Sequence, residues 1–124
     1  MKETQLQKKI VDWAKKRPLC WNFKTHGGGY TQAGIPDVVG NVGPLALYLE
    51  CKVGTNKPSP IQTVTIRKIR ESGAVAGCVW TFEDAVAVVE KLEGFVSELD
   101  ADFLRRLDLA SPSMIRCLAV DSKG

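Results

Sequence analysis

The chain of 124 residues reads as one α/β domain with elements in the order αβββαβα, a mixed sheet flanked by helices, followed by a C-terminal helix and tail. Three observations predict this. Leu45, Leu47 and Leu49 alternate with Ala46, Tyr48 and Glu50, the period of a strand with one apolar face. Leu6, Ile10, Trp13 and Ala14 recur at helical spacing near the start. Ser59-Pro60, Gly73 and Thr81 then mark where one element ends and another begins. The core is expected over residues 1–93, and the helix and tail over 94–124.

Composition bounds the function classes. The chain is long enough to bury its own core, and 44% hydrophobic with 25% charged residues is ordinary for a globular domain. No apolar run approaches the roughly 20 residues of a membrane span, and no signal-type segment opens the chain. Cys20, Cys51, Cys78 and Cys117 lack C-x-x-C spacing and lie in or near apolar segments, so buried reduced thiols are expected rather than disulfides or a zinc site. The net charge of +3 is uneven: residues 1–82 carry 12 basic and 5 acidic residues, and residues 83–124 carry 5 basic and 9 acidic. A basic body suits a phosphate-backbone ligand, although lysines and arginines also serve simply as solvated helix faces.

The first helix is expected over residues 3–16, ended by Arg17-Pro18. Glu3 extends its inward stripe. A carboxylate there is either a favourable charge at a helix N-terminus or a site residue aimed at the sheet; Gln7 is a lesser candidate on the same helix. Leu19 to Thr25 forms the first strand, with Trp21 and Phe23 alternating with Asn22 and Lys24. Next comes His26-Gly27-Gly28-Gly29-Tyr30-Thr31, read as a mobile loop on the entropy of three glycines. It lacks the lysine and spacing of a P-loop. His26, Tyr30 and Thr31 are candidate phosphate contacts, or the loop is only a connector. A lone histidine without a Cys or His partner is a poor zinc ligand.

The hairpin that follows carries the chemistry. Asp37 opens one strand, Asn41-Val42-Gly43-Pro44 supplies turn residues, and Leu45 to Lys52 forms the other strand. A hairpin symmetric about Gly43-Pro44 sets Asp37 directly across from Glu50, on the face shared with Lys52 and opposite the leucines. Adjacent like charges destabilise a sheet. Either a hard divalent cation removes that cost, or Lys52 neutralises Glu50 on a solvated patch.

Beyond a polar loop, Ser59 as N-cap, Pro60 at the first helical position and Gln62 three after the cap make a capping box. Gln62 has two possible duties: bonding back to the Ser59 N–H, or facing Glu50 and Lys52. The helix is expected to reach Ser72 and to expose Arg67, Lys68 and Arg70, which with Lys57 are candidate phosphate contacts or plain solvated charges. Ala74 to Thr81 reads as a buried strand, and Thr81 caps a helix from Glu83 to Leu92. Ser97 is expected to cap another helix with Leu99, Phe103, Leu104 and Leu107 as its apolar face. The tail from Ser111 holds Met114 to Val120, which either packs on its own domain or suits a homodimer interface.

Gly34-Ile35-Pro36-Asp37, Glu50-Cys51-Lys52 and Ser59-Pro60-Ile61-Gln62 together resemble the VRR-NUC branch of the PD-(D/E)xK nucleases, over about residues 3–92. The resemblance implies a restriction-endonuclease-like core and a metal-dependent DNA endonuclease. It implies Asp37, Glu50 and the Cys51 backbone carbonyl as ligands of Mg²⁺ or Mn²⁺, with Glu3 a direct or water-mediated ligand. Lys52 would position water or offset charge on the phosphate. Between two carboxylates it should stay protonated, which argues against an unaided general base. Gln62 would orient Lys52 or the water. The resemblance further implies branched DNA such as a four-way (Holliday) junction as partner, a homodimer with two sites, and a cytoplasmic location in a bacterium or phage-infected cell. Two rivals stand beside it: a non-catalytic nucleic-acid-binding module, and a sequence-specific restriction-type nuclease, for which no added recognition domain is visible.

Overall fold

The computed structural model of the chain describes residues 1–25, 34–100, 102, 105 and 106. Its elements run α1 (Glu3–Ala14), β1 (Cys20–Lys24), β2 (Val38–Val42), β3 (Leu45–Cys51), α2 (Pro60–Glu71), β4 (Val75–Val79) and α3 (Phe82–Ser97). This is the expected order. The four strands lie in the order β1-β2-β3-β4. The first three pair antiparallel, while β4 joins β3 in parallel, with α2 making the crossover. The sheet is therefore mixed, as the single long connection required.

The hairpin register is the expected one. Val38 pairs with Leu49, Gly40 with Leu47 and Val42 with Leu45, which sets Asp37 opposite Glu50 one step before the start of β2. Only Gly43-Pro44 remain outside the strands, so the turn is tighter than the four-residue segment read from sequence. Gly43 has φ +56°, the left-handed region that a side chain disfavours.

Helices α1 and α3 cover one face of the sheet. Leu6, Ile10 and Val11 of α1 and Ala85, Val89, Leu92 and Val96 of α3 pack against Val38, Val42, Leu47, Leu49, Cys51 and Val79. Complete burial of side chains such as Leu6 and Ile10 contributes about 1.5–3 kcal/mol each. Trp13 is half-buried; its ring meets Phe82 edge-on at 5.7 Å, and the Arg17 guanidinium lies 4.9 Å from it. Arg17 also forms a two-bonded pair with Glu93, at 2.6 and 3.1 Å, tying the end of α1 to α3. Helix α2 packs on the opposite face, beside β4, and buries only Ile66.

Four expectations change. Helix α1 stops at Ala14, not residue 16, because Lys16 and Arg17 close tight i→i+3 turns ahead of Pro18. Strand β4 is not uniformly buried. It is the edge of the sheet, so Val75 and Cys78 are half-buried and Trp80 just beyond is exposed. Helix α3 continues past Leu92 to Ser97, since Val96 reaches the core. Ser97 is thus no N-cap: its hydroxyl donates backward to the Gly94 carbonyl at 2.7 Å. Leu99 is half-buried. Phe103, Leu104, Leu107, the tail from Ser111, Cys117 and the loop with His26, Tyr30 and Thr31 lie outside the described residues. Cys51 is buried, while Cys20 and Cys78 are half-buried, all three as free thiols. No described helix is long and apolar enough to cross a membrane.

Candidate active site

The site forms where β2 begins, β3 ends and α2 starts. Its placement is a matter of side-chain alternation. On β3, Leu47, Leu49 and Cys51 face the α1/α3 core, so Glu50 and Lys52 must face α2. Glu50 is 2% exposed, an unusual position for a carboxylate.

Gly34 and Pro36 explain how Asp37 arrives beside it. Gly34 has φ +81°, and a Cβ there would sit 2.6 Å from Thr65 Oγ1 and 2.9 Å from the Ile61 carbonyl. Only glycine lets this loop lie against α2, and Pro36, itself fully buried, then directs the chain into β2. Thr25 anchors the same segment. Its N–H donates to the Asp37 carbonyl at 2.8 Å and its hydroxyl to the Pro36 carbonyl at 3.0 Å. The Asp37 carboxylate accepts the Cys51 N–H through Oδ2 at 3.0 Å, which links the two strands at the site.

Gln62 performs both of the duties that its sequence left open. Its amide oxygen accepts the Ser59 N–H at 2.8 Å, while the Ser59 hydroxyl accepts the Gln62 N–H at 3.2 Å, closing the capping box. The other end of the same amide, Nε2, donates to Glu50 Oε1 at 2.7 Å. The cap fixes the rotamer, and the rotamer aims the donor. Lys52, its side chain 11% exposed, places Nζ 3.4 Å from the same Oε1.

Both donors to Glu50, Gln62 and Lys52, thus meet the same oxygen. Oε2 is buried without a hydrogen-bond partner. Burial, then the neighbouring Asp37 charge, push the Glu50 carboxyl up to about 7, with Lys52 acting in the opposite sense. Cys51, one residue on, is an inert thiol. Burial first, then Asp37, Glu50 and Glu3, push it up to about 12.

Glu3 lies at the start of α1 on the rim of this cluster, half-exposed, where the Asn56 amide donates to it at 3.4 Å. Gln7 is buried one turn along α1. Asn56 also accepts the Trp80 indole N–H on its carbonyl at 2.8 Å. Sequence reasoning missed Thr25, Asn56 and Trp80. Neither Thr25 nor Asn56 stands in a recognisable pattern, and Trp80 reads as core when β4 is taken for an inner strand. Lys57 is exposed on the loop between β3 and α2. Arg67 and Lys68 are both exposed but on different flanks of α2: Arg67 beside Cys78 and Trp80, Lys68 beside Tyr48 and Ile61. They do not make one patch.

Several solved structures share this fold, among them two with VRR_NUC descriptions. One, described as a VRR_NUC domain protein, superposes with a TM-score of 0.60 at 19% identity, over 73% of this chain and 86% of its own. Another, described as a VRR_NUC domain, gives a TM-score of 0.59 at 23% identity, over 71% of this chain and 94% of its own. The fold is that of VRR_NUC domains. No protein-family model and no curated protein matches the chain.

On this VRR_NUC fold, the donor set suits a hard cation. Among the described residues, no three His, Cys, Asp or Glu side chains gather into a complete metal cage. What converges is two carboxylates, one with an unpartnered buried oxygen. Such a set matches an ion that takes oxygen ligands and keeps several waters.

Proposed function

We propose that the chain is a metal-dependent, structure-specific DNA endonuclease that hydrolyses phosphodiester bonds. The observation that carries this reading is Glu50 Oε2, an oxygen taken out of water, given no donor and set beside a second carboxylate. A buried acceptor of this kind is costly unless a cation meets it or a proton is shared with Asp37, and the shared proton is what a divalent ion would displace. Asp37, Glu50 and the Cys51 carbonyl would hold Mg²⁺ or Mn²⁺, with Glu3 reaching it directly or through water. Bound there, the ion would polarise the scissile phosphate and lower the pKa of a coordinated water.

The remaining work falls to the protein. Gln62 and Lys52 occupy Oε1 of Glu50, which leaves Oε2 for the ion. The Cys51 N–H holds Oδ2 of Asp37, which frees the other oxygen. The Lys52 ammonium offers charge to the phosphate as it becomes pentacoordinate. Asn56 steadies Glu3 at the rim. The partner is DNA in a branched form. A cytoplasmic homodimer would present two such sites to opposite strands of a four-way junction.

The test is cleavage of a labelled four-way junction, a flap, a nicked duplex and a plain duplex, in Mg²⁺, Mn²⁺ or EDTA, by wild type and Glu50→Ala. Metal-dependent cutting of branched forms, lost in Glu50→Ala, is the expected result. Binding without cutting under every metal would make the chain a non-catalytic module. Cutting that follows base sequence rather than shape would make it a restriction-type enzyme.

A further inference from the structure

A groove of about 430 Å³ runs between α2 and the edge strand β4. Of its walls, Arg67 was a candidate phosphate contact from sequence and Trp80 braces Asn56 at the rim of the site; neither was given a ligand there. Arg67 and Arg70 line the α2 side, Cys78 and Gly77 form the floor, and Pro58 and Trp80 close the end nearest the loop that bears Asn56. Cys78 pairs with Glu50 across the parallel ladder, so the groove begins one strand away from the proposed centre.

The residues lining the groove differ in chemistry. At one end stands an indole that cannot turn freely, because its N–H is bonded to the Asn56 carbonyl at 2.8 Å. Trp80 is nonetheless 39% exposed, so ring surface remains uncovered. Arg70 is committed to structure: its Nε donates to the Ala76 carbonyl at 2.6 Å, which blocks that acceptor on the sheet edge. Arg67, one turn earlier, is exposed, and its side chain has no hydrogen bond or ion pair among the described residues. A fixed aromatic face beside a free guanidinium, in a cavity of mononucleotide size, is the pairing that binds an unstacked base and its phosphate.

We infer that this groove is a strand-binding subsite, taking one unpaired nucleotide next to the scissile bond, its base on Trp80 and its phosphate on Arg67. The inference rests on the nuclease reading for its context but has its own readout. Among the branched forms it favours a flap, which carries unpaired nucleotides, over a fully paired four-way junction, since a paired base is not free to stack on an indole.

The experiment measures affinity for a labelled oligothymidine strand by fluorescence anisotropy, in a Glu50→Gln background so that the strand survives. Trp80→Leu should weaken binding about tenfold, and Trp80→Phe, which keeps a ring, by less than about threefold. Arg67→Ala, which breaks no internal bond, should weaken binding several-fold and lower the salt slope by about one, with Arg67→Lys recovering most of it. Thermal melts of each variant separate loss of contact from loss of fold. Unchanged affinity in both Trp80→Leu and Arg67→Ala would overturn the subsite, while metal-dependent cleavage by the parent chain would leave the nuclease reading standing. Groove-dependent binding without cleavage by the wild type would do the reverse. Displacement of the strand by micromolar thymidine monophosphate would assign the groove to a free nucleotide and also overturn the proposal.

Discussion

Glu50 and Cys51 are chain neighbours at the end of β3, and both are almost fully hidden from solvent, at 2% and 0%. Their surroundings are opposite. Cys51 lies on the face filled by α1 and α3, among Leu49, Val79 and Ala85, where only shape matters. Glu50 lies on the face where α2 brings an amide and Asp37 brings a second charge. Burial by itself therefore says nothing about role. A filled apolar face stabilises, whereas a buried charge with an unpartnered oxygen is a stored cost that function must explain.

Exchanging roughly isosteric side chains at the two positions should separate the faces. Glu50→Gln is expected to lower cleavage about a thousandfold while leaving the fold intact, measured by turnover and by circular dichroism. Cys51→Ser should do the opposite. A hydroxyl placed in the core costs about 1–3 kcal/mol in urea unfolding, with cleavage retained at temperatures where the protein is folded. A Cys51→Ser variant that loses activity without losing stability would show that the two faces are not independent.

The pH dependence sharpens the same contrast. The Glu50 carboxyl is raised from near 4.5 to about 7, so between those values the folded chain holds a proton that the unfolded chain has released. Without divalent ions, stability should fall as pH rises through that window and stay at its lower level above it. Thermal melts in EDTA at pH 5 and pH 8 would show this contribution, and Glu50→Gln should abolish it. Mg²⁺ should raise the melting temperature more at pH 8 than at pH 5. A metal effect equal at both would remove Glu50 from the binding set.

The smallest expected effect concerns α2. Ser59→Ala removes a cap bond and should cost about 1 kcal/mol with little change in cleavage. Gln62→Ala removes the reciprocal bond and the donor to Glu50 together, so it should lower stability by a similar amount and also reduce cleavage. Equal cleavage in the two variants would leave Gln62 with capping alone.

Much of this was legible in the residues themselves. The leucine alternation in β3, the turn at Gly43-Pro44 and the cap at Ser59 are local signals, and together they set the element order and the register that puts Asp37 across from Glu50. Where reading failed, a long-range contact had decided the outcome. Trp80 and Cys78 look like core until β4 proves to be an edge strand. Helix α3 runs through Gly94 because Val96 finds the core, which no local propensity records. Trp21, at 66% exposed, stands on the outward side of β1 while Asn22 is buried, the reverse of what hydrophobicity would order.

The chain by itself therefore determined which residues carry charge, which alternate and where each element starts, because these depend on neighbours a few positions apart. Only the tertiary structure decided that the Gln62 amide serves the helix cap and Glu50 together, that Glu50 keeps one oxygen without a partner, and that Arg67 and Lys68 part onto opposite flanks of α2. Those outcomes depend on how α2 lies across the sheet, and that is set by the close approach of Gly34 and by packing on β4, distances no sequence spacing contains.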